Sequence, residues 1–327
     1  METEKRRPWR RWVVLALMIV GFIVGGYLFA PIQPEISVKA ERLIEQPLFT
    51  WPVIGSFYLV NTLPTLVLML VLLGWLIIAT GNSLRKSLNT DLVPRGIGNL
   101  METLFEMLYN MTEGSAGQKW APVIFPWFAT IMIYVLFANL LKLIPGFESI
   151  GFLHQVAQGH PISGAILQPG SISNGYVLVP FFRGVSVDLN FTISLALISV
   201  VMIQVVGFRA QGFSYLSKFF NFTTMFKVPF FGAMDFLVGL LELISEFSKI
   251  LSFAFRLFGN MFAGIVLVAI VAGMLGKITI LPSMIMMFEL FVGIIQAFVF
   301  GMLTMVFMAQ ATQGHAHEEA HEEAHEI

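Results

Sequence analysis

Residues 234–274 read MDFLVGLLELISEFSKILSFAFRLFGNMFAGIVLVAIVAGM, a run without a single proline. As one α-helix rising ~1.5 Å per residue it measures about 60 Å, twice the thickness of a bilayer's hydrocarbon core. Such a helix has to tilt steeply or lie partly along the membrane. Its polar residues are ordered along it. At ~100° per residue, Glu242, Glu246, Lys249, Arg256 and Asn260 fall within an arc of about 80°, flanked by Ser245 and Ser252. The rest of the surface is Leu, Ile, Phe and Val. A guanidinium at bilayer depth costs about 2.5 to 3.5 kcal/mol on insertion scales, so a chain that carries Arg256 there is expected to use it, and the use most consistent with a stripe of carboxylates and amides is ion movement.

Working outward, Gly276, Pro282 and Ser283 read as a turn, and Met284 to Ala311 as a second long apolar helix, so the two form a hairpin. On the second helix Glu289 and Gln296 are two turns apart and face the same way. Carboxylates pass protons, whereas arginine stays charged throughout. The same residues also admit a structural reading. Glu246 and Lys249 make an i, i+3 pair, Arg256 and Glu289 a pair across the hairpin, Asn260 and Gln296 ordinary interhelical hydrogen bonds, and Gly259, Ala263 and Gly264 a close-packing surface. Arg256 resists that reading, because a purely structural buried pair is usually better replaced by apolar packing.

Composition agrees with a membrane chain. Of 327 residues 57% are hydrophobic and only 12% charged, with a mean hydropathy of +0.80. That is too little charge to cover a soluble surface, while lipid accepts Leu, Phe, Ile and Met directly. The formal net charge is −1, and basic residues other than Lys249 and Arg256 lie mainly in loops and the N-terminus, so nothing points to nucleic acid. With no cysteine, disulfides and thiolate metal sites are excluded, and no metal or cofactor is expected.

Upstream, a basic start, EKRRPWRRW, precedes an apolar run from Val13 to Ala30. Leu28-Phe29-Ala30 followed by Pro31 makes a poor signal-cleavage site, so the run reads as a retained anchor. Residues 31–56, with Pro31, Pro34, Pro47 and Pro52, read as an extended outer loop. A second span covers Phe57 to Ala79 and is followed by Arg85, Lys86 and Arg95, which the positive-inside rule assigns to the cytoplasmic side. Over residues 96–113, Ile97, Leu100, Leu104, Met107, Leu108 and Met111 share one helical face, with Glu102, Glu106 and Asn110 elsewhere, the pattern of an amphipathic helix at the inner surface. Trp120 to Ile144 crosses outward. Residues 145–186, rich in Gly, Pro and Ser, read as a long outer loop, and Val187 to Phe208 returns to an inner side marked by Arg209, Lys218 and Lys227. The expected fold is an all-α polytopic membrane protein with about six membrane segments plus an amphipathic surface helix, ending in a long, steeply tilted helical hairpin. Its divisions are 1–56, a basic segment with an extra anchor and outer loop; 57–312, the membrane domain; and 313–327, a His/Glu-rich tail. That tail contains HEEAH twice, the form of a zinc-protease motif, but at a low-complexity chain end with no cavity around it.

The segments SKILSFAFRLFGNMFAG (248–264) and FELFVGIIQAFVFGMLTMVF (288–307) resemble subunit a of rotary F-type ATP synthases. The likeness extends to LELISEFSK (241–249), VDLNFTISLAL (187–197), FANLLKLIPGF (137–147) and VPRGIGNLMETLFEML (93–108). By resemblance Arg256 matches the family's essential stator arginine and Glu242 its outer-side carboxylate. Lys249, Ser252, Asn260 and Gln296 match other path positions, and Asn139, Asp188 and Asn190 its outer polar positions. The resemblance implies a stator ion-channel subunit without catalytic activity of its own, multi-pass in a bacterial cell membrane. It implies proton half-channels beside a ring of small c-type subunits, b-type peripheral stalk subunits and the remainder of the ATP synthase. Protons are then expected to be taken up through Asp188, Asn190, Glu242 and Glu289. This chain departs from the family at three positions. Ile265 stands where relatives often carry Glu and Glu289 where they often carry His, which together read as a relocated carboxylate; Lys142 stands where many carry Asp. The alternative from another class is a self-contained secondary transporter or ion channel with a midplane arginine.

Overall fold

The computed structural model describes residues 12, 13, 16, 17, 20, 40–44, 46–52, 55–88, 95–144, 146–163, 166–168, 171–217, 229–275 and 280–313. Most of the expected anchor over Val13–Ala30, Lys218 and Lys227, and the tail from Gly314 onward lie outside them. The helices are α1 (Thr62–Leu88), α2 (Ile97–Leu141), α3 (Leu189–Gln211), a single turn α4 (Ser214–Ser217), α5 (Pro229–Leu275) and α6 (Ile280–Thr312). Among the described residues five of these, all but α4, are long and apolar enough to cross a membrane. The chain is an all-α polytopic membrane protein in its spans.

Several helix boundaries have a local cause. Strand pairing occupies Phe57, and Asn61 N–H donates to Glu41 O at 3.0 Å, so α1 begins at Thr62 instead of the expected Phe57. It runs on to Leu88, with Arg85 and Lys86 in its last turn where cations favour the helix C-terminus. The surface helix and the next span, expected as separate pieces, form one 45-residue element broken at Gly117, whose φ of 74° and ψ of 165° only glycine adopts readily. Asp188 caps α3, its side chain accepting from Asn190 N–H at 2.9 Å, and Gly212 (φ 63°) ends it. α5 is 47 residues long, about 70 Å of helix, and opens on Pro229, whose missing N–H is tolerated in a first turn. Pro282 and Ser283, expected in the turn, instead lie in the first turn of α6, for the same reason.

The described chain divides into two compact units, 62–142 with 184–261 and 293–327, and 1–61 with 143–183 and 262–292. In the first, Met69, Ala138 and Leu141 form a core surrounded by Leu66, Leu72, Leu73, Tyr134, Phe137 and Phe191. There the α5 ring of Phe253 lies 5.2 Å from Phe300 and 5.9 Å from Phe307 of α6. In the second unit, β1 (Phe49–Trp51) and β2 (Gly55–Phe57) make an antiparallel hairpin within the expected outer loop. The 145–186 segment, also expected as loop, contains β3 (Gly151–His160), β4 (Ile162–Ser163), β5 (Ile166–Leu167), β6 (Ile172–Ser173) and β7 (Tyr176–Pro180). They pair as a sheet of order β6–β3–β7 and a β4–β5 hairpin. The valine-rich YVLVP strand, with its high β propensity, outweighs the Gly and Ser around it.

Candidate functional site

The polar stripe of α5 is divided in two by its surroundings. Glu246 is buried and accepts from Lys249 Nζ at 2.7 Å, while the Lys249 ammonium also lies 4.9 Å from the centre of the Phe307 ring. The i, i+3 pairing expected as the structural alternative is therefore present. Further along, Ser252, Arg256 and Asn260 are exposed. Arg256 donates to Ser252 Oγ at 3.3 Å along its own helix. The buried residues Phe253, Ala254, Leu257 and Met261 define the packed face of α5, and Arg256 is turned about 100° from its middle.

Just beyond Arg256 the polar groups of three helices meet. Asn260 Nδ2 donates to Gln296 Oε1 at 2.6 Å, joining α5 to α6. Asn139 Nδ2, near the end of α2, donates to the Gly293 carbonyl of α6 at 3.0 Å. Lys142 Nζ donates to the Met261 carbonyl of α5 at 3.3 Å. Asn139, Lys142 and Gln296 are all buried. In the same unit, Asp188 is buried at the start of α3 and accepts from Thr62 Oγ1 at 3.1 Å. Asn190 offers its main-chain N–H to Asp188 and is itself exposed. Thr62 was not singled out by sequence reasoning; a hydroxyl at the first position of a span was the available signal.

In the other unit Glu289 is buried against α5, its carboxylate lying over Gly264, where an added Cβ would collide with Oε1. A carboxylate thus occupies space beside Ile265, although residue 265 cannot supply one.

Glu242 was expected on the outer side with Asp188; its charge acts on Tyr215, which follows the far end of α3. Asp188 caps the start of that helix, and Arg209 lies in its last turn, before Tyr215. The Tyr215 phenol is pushed up to about 12, first by burial and then by the charges of Glu246 and Glu242. Its hydroxyl donates to Gln204 Oε1 at 2.8 Å. Tyr215 and Gln204 were also missed, since an isolated Tyr after a helix carries no periodic signal.

The sequence model of the family described as ATP synthase A chain matches residues 62–309, from the first turn of α1 to the end of α6. The chain belongs to this family. Among its relatives is ATP synthase subunit a of Desulfotalea psychrophila, 31% identical over 232 residues, covering 70% of this chain and 77% of that one. ATP synthase subunit a of Helicobacter pylori strain G27 is 30% identical over 241 residues, 71% and 85% of the two chains. That of Mycobacterium tuberculosis is 28% identical over 249 residues, 76% and 86%. As a member of the ATP synthase A chain family with five apolar helices among its described residues, the chain is a multi-pass membrane protein.

Proposed function

We propose that this chain is the stator ion-channel subunit of an ATP synthase in a bacterial plasma membrane. It provides two proton half-channels beside a rotating ring of c-type subunits, is held by b-type stalk subunits and performs no catalysis itself. Residues 57–312 form the working domain. The observation that carries the reading is Arg256, a cation within a membrane helix, exposed on a flank that the described residues leave open. Bare in lipid such a charge is costly; facing a ring of buried carboxylates it has a function.

On this reading protons are taken up on the outer side through Asp188, with Thr62, Asn190 and Asn139 nearby, and reach the ring past Glu289, Gln296 and Asn260. A neutralised ring carboxylate can turn toward lipid without the penalty of a bare charge. When a protonated carboxylate reaches Arg256, the fixed positive charge lowers its pKa and the proton leaves. Glu242 and Glu246, with Lys249 and Ser252, then belong to the inner route; the proximity of both carboxylates to Tyr215 supports that assignment. Arg256 also prevents a direct leak between the two routes, because it neither accepts nor passes a proton. Each charge that crosses contributes about 2.3 kcal/mol per 100 mV, so several steps accumulate before ATP can form.

The test is ATP-driven acidification of inverted vesicles containing the whole complex, wild type against Arg256→Ala at matched assembly. Loss of pumping in the variant is expected. Pumping equal to wild type would remove Arg256 from the mechanism and favour the independent transporter.

A further inference from the structure

The end of α2 and the residue that caps it reach both arms of the hairpin through their main-chain oxygens. Asn139 and Lys142, three residues apart and so on one helical face, donate to Gly293 O and Met261 O respectively. Met261 directly follows Asn260, and Gly293 precedes Gln296 by three residues, the two side chains that bridge α5 and α6. Lys142 is 8% exposed, and its stem runs across Gly184, where a Cβ would stand 2.9 Å from Lys142 Cβ and 3.4 Å from Cδ. A lysine near a helix end ordinarily extends its ammonium to water. Here the ammonium is held inside and bonded to backbone, which a carboxylate at the same place could not do, since both it and Met261 O only accept.

We propose that Lys142 is a positioning residue, a fixed donor that sets the height and rotation of α5 beside Arg256 relative to α2. Met261 lies five residues past Arg256, about 7.5 Å along the helix, so a bond to its carbonyl restrains the segment that carries the guanidinium. Position 142 then supplies no proton-accepting group to the outer route that begins at Asp188. This inference rests on the stator reading above.

The experiment uses the whole ATP synthase in inverted vesicles and measures pumping per ATP hydrolysed at matched assembly. Lys142→Met keeps the stem and loses the donor; Lys142→Asp adds a carboxylate; Lys142→Gln and Lys142→Arg keep donors. Losing a charge-assisted hydrogen bond is expected to lower pumping about tenfold in the Met and Asp variants, with at least one donor-keeping variant within about twofold of wild type. Wild-type pumping by Lys142→Met, or equal loss in all four, would overturn the assignment. A second measurement needs no variant: amine-reactive acylation of the wild-type complex should label the exposed Lys86 and Lys119 and spare Lys142. Labelling of Lys142 to the same extent would also overturn it. Arg256→Ala is run alongside. If that variant pumps, the stator reading fails; if it does not while Lys142→Met does, only the Lys142 assignment fails.

Discussion

At Gly264 an added methyl group would meet the Glu289 carboxylate, so the absence of a side chain on α5 is what gives the acid its place. Gly264→Ala is expected to displace Glu289 and lower ATP-driven pumping about tenfold while ATP hydrolysis continues, since a small misplacement at a transfer site can cost that much or more; pumping at the wild-type rate would show that the carboxylate's seat is unimportant. Tyr215 supplies a pH prediction. Its pKa is raised from about 10 to about 12, so the folded state keeps a proton that the unfolded chain loses. The resulting stabilisation is fully present below about pH 10 and disappears as pH rises toward 12. A tyrosinate absorbance titration of wild type minus Tyr215→Phe should show no step near pH 10; a step there would contradict the buried phenol. The stripe that holds Arg256 was legible because helical periodicity is a local property. The partners of its neighbours were not: Thr62 and Asp188 are 126 residues apart, and neither position announces the other.

Helix α2 shows how one residue shapes an element. Its surface half buries Met101, Leu108 and Thr112, while Leu100 (65% exposed) and Met107 (49%) remain open, as suits a helix lying at a lipid interface. The break at Gly117 then lets the chain turn into the span that ends in Asn139 and Leu141. Its φ and ψ lie in a region essentially reserved for glycine, so Gly117→Ala should cost about 1–3 kcal/mol. The readout is the temperature at which the subunit dissociates from the purified complex, and an unchanged temperature would argue that the break carries no strain for other residues. The amphipathic pattern and the span were each readable in the sequence; their fusion across a single glycine was not. The outer segment was hardest to read, because Gly, Pro and Ser signal loops while β3 and β7 depend on pairing between residues such as Phe152 and Val179.

Across the whole molecule, apolar side chains face outward as well as inward. On α5 and α6 Phe247, Phe255, Met287, Phe288 and Phe291 are each more than half exposed, which lipid tolerates and water would not. Burying such surface gains little when the solvent is itself hydrocarbon, so the helices are held by close packing and interhelical hydrogen bonds. The bonds from Asn139, Lys142 and Asn260 are of that kind, and they converge just beyond Arg256. Residue order alone determined the membrane class, the long hairpin, the face shared by Arg256 and Asn260 and the resemblance to the ATP synthase family, because hydropathy and helical period are read within one segment. Only the tertiary structure decided that the charges of Glu246 and Glu242 bear on Tyr215, that Lys142 bonds to the backbone of α5 and that Gly264 makes room for Glu289. Those facts depend on which helices meet and at what height, and in lipid that is set by a few hydrogen bonds and glycine contacts between residues far apart in the chain.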